Sequence, residues 1–121
     1  MKRINLLGST GSIGLQTLDV ARKQGYEIKA LVANRNVKKI EEQIREFKPE
    51  IAVMSDEKSA KDLQIKIADT STKVLCGDTG VEEAATFEEA DTVLNSFVGM
   101  AGLGTLIKAI NAGKHVYCEK P

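Results

Sequence analysis

Cysteine is scarce in this sequence of 121 residues, with Cys76 and Cys118 as the only two. Two cysteines so far apart cannot form a zinc-binding framework or a redox C-x-x-C pair. Each is therefore interpreted as a small apolar side chain buried in the core, and neither as a metal ligand nor as a nucleophile.

An excess of charge of either sign is also absent. Lysine plus arginine and aspartate plus glutamate number 17 each, so the formal net charge is zero. No overall electric field would draw such a protein to nucleic acid or to an anionic membrane surface. We therefore expect neither of them as a partner.

Long apolar runs are missing as well. No run approaches the roughly 20 apolar residues that cross a bilayer, and the N-terminus has no apolar segment followed by a cleavage site. These features predict a cytoplasmic protein. A chain of this length can bury about two thirds of the surface that it exposes when unfolded, so we expect residues 1–121 to form a single domain.

Short apolar runs alternate with segments of helical periodicity along the whole sequence. The predicted strands are residues 4–7, 28–33, 51–54, 73–75, 92–98 and 115–118, and the predicted helices are residues 12–23, 37–47, 58–68, 80–85 and 101–111. The apolar stripe of the first helix is read as Ile13, Thr17, Val20 and Ala21. Unbroken apolar strands joined by helices indicate a parallel sheet that is covered on both faces. The predicted fold class is therefore α/β, a Rossmann-like, doubly wound, mostly parallel sheet in three α/β/α layers.

Three glycines, Gly8, Gly11 and Gly14, stand where the first strand meets the first helix. Gly8 allows a sharp turn, Gly11 lets a pyrophosphate approach backbone N–H groups, and Gly14 lets the helix pack closely on the sheet. The N–H groups of the first helical turn and the helix dipole would face that anion. The same cradle would be lined by Thr10, Ser12 and Ile13. Because a strand precedes the glycines and a helix follows them, a dinucleotide site is favoured over a simple tight turn.

The end of the second predicted strand indicates which dinucleotide binds. NAD-specific proteins usually carry an acidic residue about 20 positions after the glycines, but this sequence reads Asn34, Arg35 and Asn36 there. No carboxylate at this place repels a phosphate, so Arg35 can contact a 2′-phosphate and Asn36 can donate a hydrogen bond to it. NADP(H) is therefore the predicted cofactor. The alternative is that Arg35 is only a solvated surface charge.

A second glycine-rich stretch follows the fifth predicted strand, at residues 95–106. Ligands of open α/β sheets bind beyond the carboxyl ends of the strands, so Gly99, Ala101 and Gly102 would line the nicotinamide half of the site. The alternative is that these residues only permit close packing where the next helix begins. His115 starts the last predicted strand, at the opposite end of the sheet, and is interpreted as a structural or solvated residue.

Several separated motifs occur in a recognisable order. They are GSTGSIG followed by QTLDV, then ANRNV, AVM, VGMAGL and AINAGK. Over residues 1–114 they resemble the N-terminal, NADPH-binding domain of the 1-deoxy-D-xylulose 5-phosphate reductoisomerase family. The resemblance implies NADPH, a divalent cation in the full-length enzymes, a homodimer and a role in the non-mevalonate route to isoprenoids. It also implies that residues 10–13 hold the pyrophosphate and residues 34–36 the adenosine ribose phosphate.

The last ten residues, AGKHVYCEKP, depart from that family, which continues with an Ala-Asn-Lys-Glu type motif and then the metal ligands. This ending resembles the glucose-fructose oxidoreductase and inositol dehydrogenase family, whose Glu-Lys-Pro motif would place Lys120 near the nicotinamide. Three hypotheses result. The favoured one is a cofactor-binding domain with no catalytic residue and no metal site of its own, inactive alone because the catalytic domain is absent. The others are an enzyme that uses Lys120 as acid/base and a non-catalytic NADP(H)-binding module.

Overall fold

Residues 2–96 and 110–118 are described by the structure, which is a computed structural model. Its strands are β1 (Arg3–Leu7), β2 (Glu27–Ala33), β3 (Ile51–Met54), β4 (Lys73–Cys76), β5 (Thr92–Asn95) and β6 (His115–Cys118). Its helices are α1 (Ser12–Gln24), α2 (Val37–Phe47), α3 (Glu57–Lys66) and α4 (Gly77–Ala85). The six predicted strands and the first four predicted helices are thus present, several with shifted ends, while residues 97–98 of the predicted fifth strand lie outside the described residues. The predicted helix at 101–111 lies outside the described residues except for Ile110 and Asn111, which are helical.

The six strands form one parallel sheet in the order β4-β3-β2-β1-β5-β6. The chain runs outward from β1 through β2 and β3 to β4, and then crosses back to place β5 on the other side of β1. This reversal creates a switch point between the carboxyl ends of β1 and β5, which is where open α/β sheets bind ligands. The predicted Rossmann-like, doubly wound sheet is confirmed.

Both faces of the sheet are buried. Successive residues of a strand point to opposite faces, so β1, β2 and β3 each contribute to both clusters. On one side, Leu6 and Leu31 belong to a cluster that includes the buried residues of α1, α2 and α3. On the other side, Leu7 and Val32 pack in a cluster with Val81 of α4. Burial on both faces explains why the strands read as unbroken apolar runs and gives the predicted three layers.

The buried face of α1 differs from the predicted stripe. The helix buries Gly14, Leu18 and Ala21, so of the predicted residues only Ala21 is in the core. Val20 is 50% exposed. The cause is Gly14, at which a β-carbon would lie 2.1 Å from the carbonyl oxygen of Gly8. This close contact of the helix with the preceding loop decides which face of α1 turns toward the sheet.

The prediction of a buried Cys76 is wrong, since its side chain is exposed. Cys76 ends β4, which is the edge strand among those described and pairs there with β3 alone. Cys118 ends β6, and its side chain is outside the described part of the structure. His115 is exposed at the start of β6, as predicted. Within residues 2–96 and 110–118, no helix has the length and apolar character to span a bilayer.

Candidate functional site

The glycine-rich loop joins β1 to α1 at the carboxyl edge of the sheet. The N–H groups of Gly8 and Ser9 both donate to the carbonyl oxygen of Val32 in β2, at 2.8 and 2.9 Å. From the other side, the hydroxyl of Ser96, just after β5, lies 3.0 Å from the carbonyl oxygens of Leu7 and Gly8. The loop is therefore anchored to the strands on both sides of β1. Ser96 was not among the predicted site residues, although its place after β5 puts it at the switch point.

Two of the three glycines, Gly8 and Gly14, are required by the structure, and the third is not. Gly8 has a φ of 94°, in the left-handed region that other residues rarely adopt. Gly14 has no space for a β-carbon, as described above. Gly11 has a φ of −82°, and a β-carbon there would meet nothing closer than the carbonyl oxygen of Gly8 at 4.0 Å. Neither backbone conformation nor packing within the described residues requires a glycine at position 11.

The first turn of α1 presents backbone N–H groups at the same edge. Its N-cap residue is Gly11, and the first helical hydrogen bond runs from the N–H of Leu15 to the carbonyl oxygen of Gly11, at 2.9 Å. No side chain of the described residues caps this helix end, and its first turn has no acidic residue. Such a helix end favours an anion. Ser12 is exposed beside it, and Thr10 and Ile13 are half-buried.

The predicted adenosine end joins β2 to α2 and is exposed at Asn34, Arg35 and Asn36. The side chain of Arg35 is 78% exposed, and its Nε lies 4.0 Å from a carboxyl oxygen of Asp56. Asn36 caps α2, because its side-chain oxygen accepts a hydrogen bond from the N–H of Lys39 at 3.2 Å. The hydrogen bond to Lys39 occupies the side-chain oxygen of Asn36. The predicted hydrogen bond from Asn36 to a phosphate would use the side-chain nitrogen instead.

Asp56 is the residue of this end that the sequence-based prediction missed. Its N–H donates to the carbonyl oxygen of Asn34 at 3.3 Å, and the hydroxyl of the preceding Ser55 donates to the side-chain oxygen of Asn34 at 2.5 Å. Hydrogen bonds from Ser59, helped by the charge of Arg35, hold the pKa of Asp56 below its ordinary value. A carboxylate therefore does stand beside Arg35. It comes from the turn between β3 and α3, where Asp56 is the N-cap residue of α3 and is distant in sequence from Arg35.

The remaining predicted site residues, Gly99, Ala101 and Gly102, lie outside the described residues, and so does Lys120. The described residues therefore bring together the glycine-rich loop after β1 and the turn after β2, because these two strands are parallel neighbours. In the described part of the chain, no group of three or more histidine, cysteine, aspartate or glutamate side chains could hold a metal ion.

Known proteins similar to this chain form a consistent set. A model of the 1-deoxy-D-xylulose 5-phosphate reductoisomerase family matches residues 4–118. Curated reductoisomerases from Agathobacter rectalis and Proteus mirabilis are 48% identical over 117 residues and 46% identical over 120 residues. Each match covers 96% of this chain but 31% and 30% of those proteins.

Solved structures agree with the sequence matches. The reductoisomerase from Zymomonas mobilis in complex with NADPH has a TM-score of 0.89 and 34% identity, over 98% of this chain and 32% of that one. A reductoisomerase in complex with NADPH, fosmidomycin and magnesium has a TM-score of 0.88 and 36% identity, over 96% of this chain and 29% of that one. The chain thus spans less than a third of these relatives. The family match extends through residue 118 and includes most of the tail, whose resemblance to glucose-fructose oxidoreductase these comparisons do not support.

Proposed function

Since the chain belongs to the 1-deoxy-D-xylulose 5-phosphate reductoisomerase family, we propose that it binds NADPH at the carboxyl edge of its sheet. The pyrophosphate would lie over Gly11 and against the first turn of α1, and the 2′-phosphate would lie beside Arg35 and Asn36. The observation that carries this proposal is the open space at Gly11, where neither the backbone conformation nor packing among the described residues requires a glycine. The NADPH complexes of two related structures support it.

The residues of this chain would bind and orient the cofactor, which itself supplies a hydride when bound. Backbone N–H groups at the start of α1 would stabilise the charge of the pyrophosphate without a lysine or arginine. The guanidinium of Arg35 would form charge-assisted hydrogen bonds with the 2′-phosphate, which distinguishes NADPH from NADH. In this proposal Asp56 weakens that interaction, because its carboxylate competes for the same guanidinium.

We further propose that the bound NADPH serves the family's conversion of 1-deoxy-D-xylulose 5-phosphate in the non-mevalonate route to isoprenoids. The chain would act there as the cofactor-binding part of a larger enzyme. A single domain over residues 1–121, inactivity of the chain alone, assembly as a homodimer and a cytoplasmic location stay predictions from the sequence.

Isothermal titration calorimetry of the chain with NADPH and NADH, each with and without magnesium, tests the proposal. We expect saturable binding in which NADPH binds at least about tenfold more tightly than NADH, as one charge-assisted contact provides. Magnesium should leave both affinities unchanged. Equal affinities would contradict the role of Arg35, and binding of neither dinucleotide would contradict the proposed function.

A further inference from the structure

Gln43 is a buried amide on α2 that contacts the glycine-rich loop. It is 7% exposed, and its Nε2 donates a hydrogen bond of 2.9 Å to the carbonyl oxygen of Ser9. Ser9 is fully buried and also donates its own N–H to Val32 in β2. The two backbone polar groups of Ser9 are thus held from two sides, one by a strand and the other by a helix side chain.

Packing alone does not explain an amide at this position. The side-chain oxygen of Gln43 and the hydroxyl of Ser9 are buried, and neither has a hydrogen-bond partner among the described residues. A buried polar atom without a partner costs free energy, and an apolar side chain of the same size would avoid that cost. The amide is therefore explained by the one hydrogen bond that it does make, which is to the loop.

Helix α2 carries residues of both ends of the candidate site. Asn36 caps its first turn, beside Arg35, and Gln43 lies about two turns further along. A hydrogen-bonded helix is stiff over this length, so the contact with Ser9 fixes the distance between the adenosine end and the pyrophosphate end of the site. The dinucleotide must span these two ends when it binds.

We propose that Gln43 is a positioning residue for the cofactor. By donating to the carbonyl oxygen of Ser9, it holds the loop so that Gly11 and the first turn of α1 face the pyrophosphate, and it does not touch the cofactor itself. This role rests on the proposed binding of NADPH. Since NADPH and NADH share the pyrophosphate, the loss of Gln43 weakens both, whereas the loss of Arg35 weakens only NADPH.

The variant Gln43→Glu tests the hydrogen bond with almost no change in shape. At pH 8 the introduced carboxylate cannot donate to the carbonyl oxygen of Ser9, whereas its protonated form can. We expect the Kd values for NADP⁺ and NAD⁺ to rise about tenfold at pH 8. The deficit should shrink as the pH falls toward about 5.5, because burial raises the pKa of a carboxyl group. Oxidised dinucleotides are used because they withstand acid.

The controls separate this effect from general consequences of the substitution. Gln64→Glu makes the same change at an exposed position of α3 and should leave both affinities unchanged at every pH. The charged residues that line the cleft beside Gln43 are Arg22, Lys39, Glu42 and Glu46. They are present in the unmodified chain as well, so the difference between the two pH profiles reports the introduced carboxyl group.

A second measurement needs no cofactor. Amide hydrogen exchange in residues 8–15 should be faster in Gln43→Glu and in the uncharged Gln43→Met than in the unmodified chain, while exchange in β3 stays the same. If Gln43→Glu does not fold, Gln43→Met should weaken both dinucleotides equally at every pH. Unchanged affinity in the variants, or a deficit in Gln43→Glu that acid does not reduce, would overturn the positioning role and leave the proposed function intact. Failure of the unmodified chain to bind either dinucleotide would overturn both.

Discussion

Gly14 lies so close to Gly8 that a β-carbon on Gly14 would stand 2.1 Å from the carbonyl oxygen of Gly8. The next atoms that it would meet belong to the backbone of Ser9, at 2.8 and 2.9 Å. Backbone atoms cannot rotate away as the end of a flexible side chain can. The third glycine of the motif therefore brings α1 close to the loop, and the geometry of the proposed pyrophosphate site depends on this contact.

Gly14→Ala should lower the free energy of unfolding by about 1–3 kcal/mol, because the added methyl group forces the helix and the loop apart. This expected net loss already includes the higher helix propensity of alanine, which favours the variant by about 1 kcal/mol. Urea denaturation followed by circular dichroism measures the change. Gln16→Ala, at an exposed position of the same helix, is the control and should stay within about 0.5 kcal/mol of the unmodified chain. Equal stability of the two variants would contradict the close contact.

Gly11→Val should leave the fold intact and abolish dinucleotide binding. The φ of −82° suits any residue, and among the described residues a β-carbon would meet nothing closer than 4.0 Å. In the proposed complex, however, the valine side chain would occupy the place of the pyrophosphate. We expect the Kd for NADPH to rise at least about 100-fold, since hydrogen bonds to charged groups contribute about 1.5–3 kcal/mol each. Calorimetry measures the loss, and circular dichroism checks the fold. Gly11→Thr is a second variant that keeps a good N-cap residue. Retained affinity in both variants would show that the loop is only a turn.

The sequence predicted the sheet, its parallel strands and the place of the glycine-rich loop, because these depend on local patterns of apolar residues and glycine. It misplaced the buried stripe of α1. The buried residues Gly14, Leu18 and Ala21 still follow the helical period, but the contact of Gly14 with the loop turns this face toward the sheet. Asp56 and Gln43 were missed for a related reason. Both reach the site from elements that are distant in sequence, and only the order of the strands and the packing of α2 bring them there.

Arg35→Ala should weaken the binding of NADPH by about 10- to 100-fold and leave that of NADH within about twofold, because only NADPH carries the phosphate that the guanidinium would contact in the proposed complex. Arg35→Asp should reverse the preference, since a carboxylate accepts hydrogen bonds from the ribose hydroxyls and repels the phosphate. Calorimetry with both dinucleotides measures the ratio. Lys61→Ala removes the same charge from an exposed position of α3 and should change neither affinity. An unchanged ratio in Arg35→Ala would make Arg35 a solvated surface charge.

Asp56→Asn should strengthen NADPH binding, by no more than about fivefold, because an exposed ion pair contributes at most about 1 kcal/mol. The substitution removes the carboxylate that lies 4.0 Å from Arg35, while asparagine still caps α3. The affinity for NADH should not change. The measurement is made at neutral pH, where the lowered pKa keeps Asp56 ionised. Weaker binding of NADPH would mean that Asp56 holds Arg35 in place instead of competing for it.

Comparison with Lys114→Met should show that Lys114, just before the start of β6, makes the stability of the unmodified chain depend on pH. Lys114 is 9% exposed, and its Nζ donates to the carbonyl oxygen of Ala90 at 2.5 Å. Burial lowers the pKa of Lys114, although Asp91 and Glu88 oppose the shift.

In the window between the lowered pKa of Lys114 in the folded chain and the ordinary lysine pKa near 10.4, the unfolded chain binds more protons than the folded chain. The stability of the unmodified chain therefore rises with pH in this window. The variant lacks this titration. Urea denaturation at several values between about pH 8 and 10 should therefore show the unmodified chain gaining stability relative to Lys114→Met. Lys66→Met, at an exposed position, should show no such gain. A difference between the unmodified chain and Lys114→Met that stays flat or falls over this range would mean that burial does not depress the pKa of Lys114.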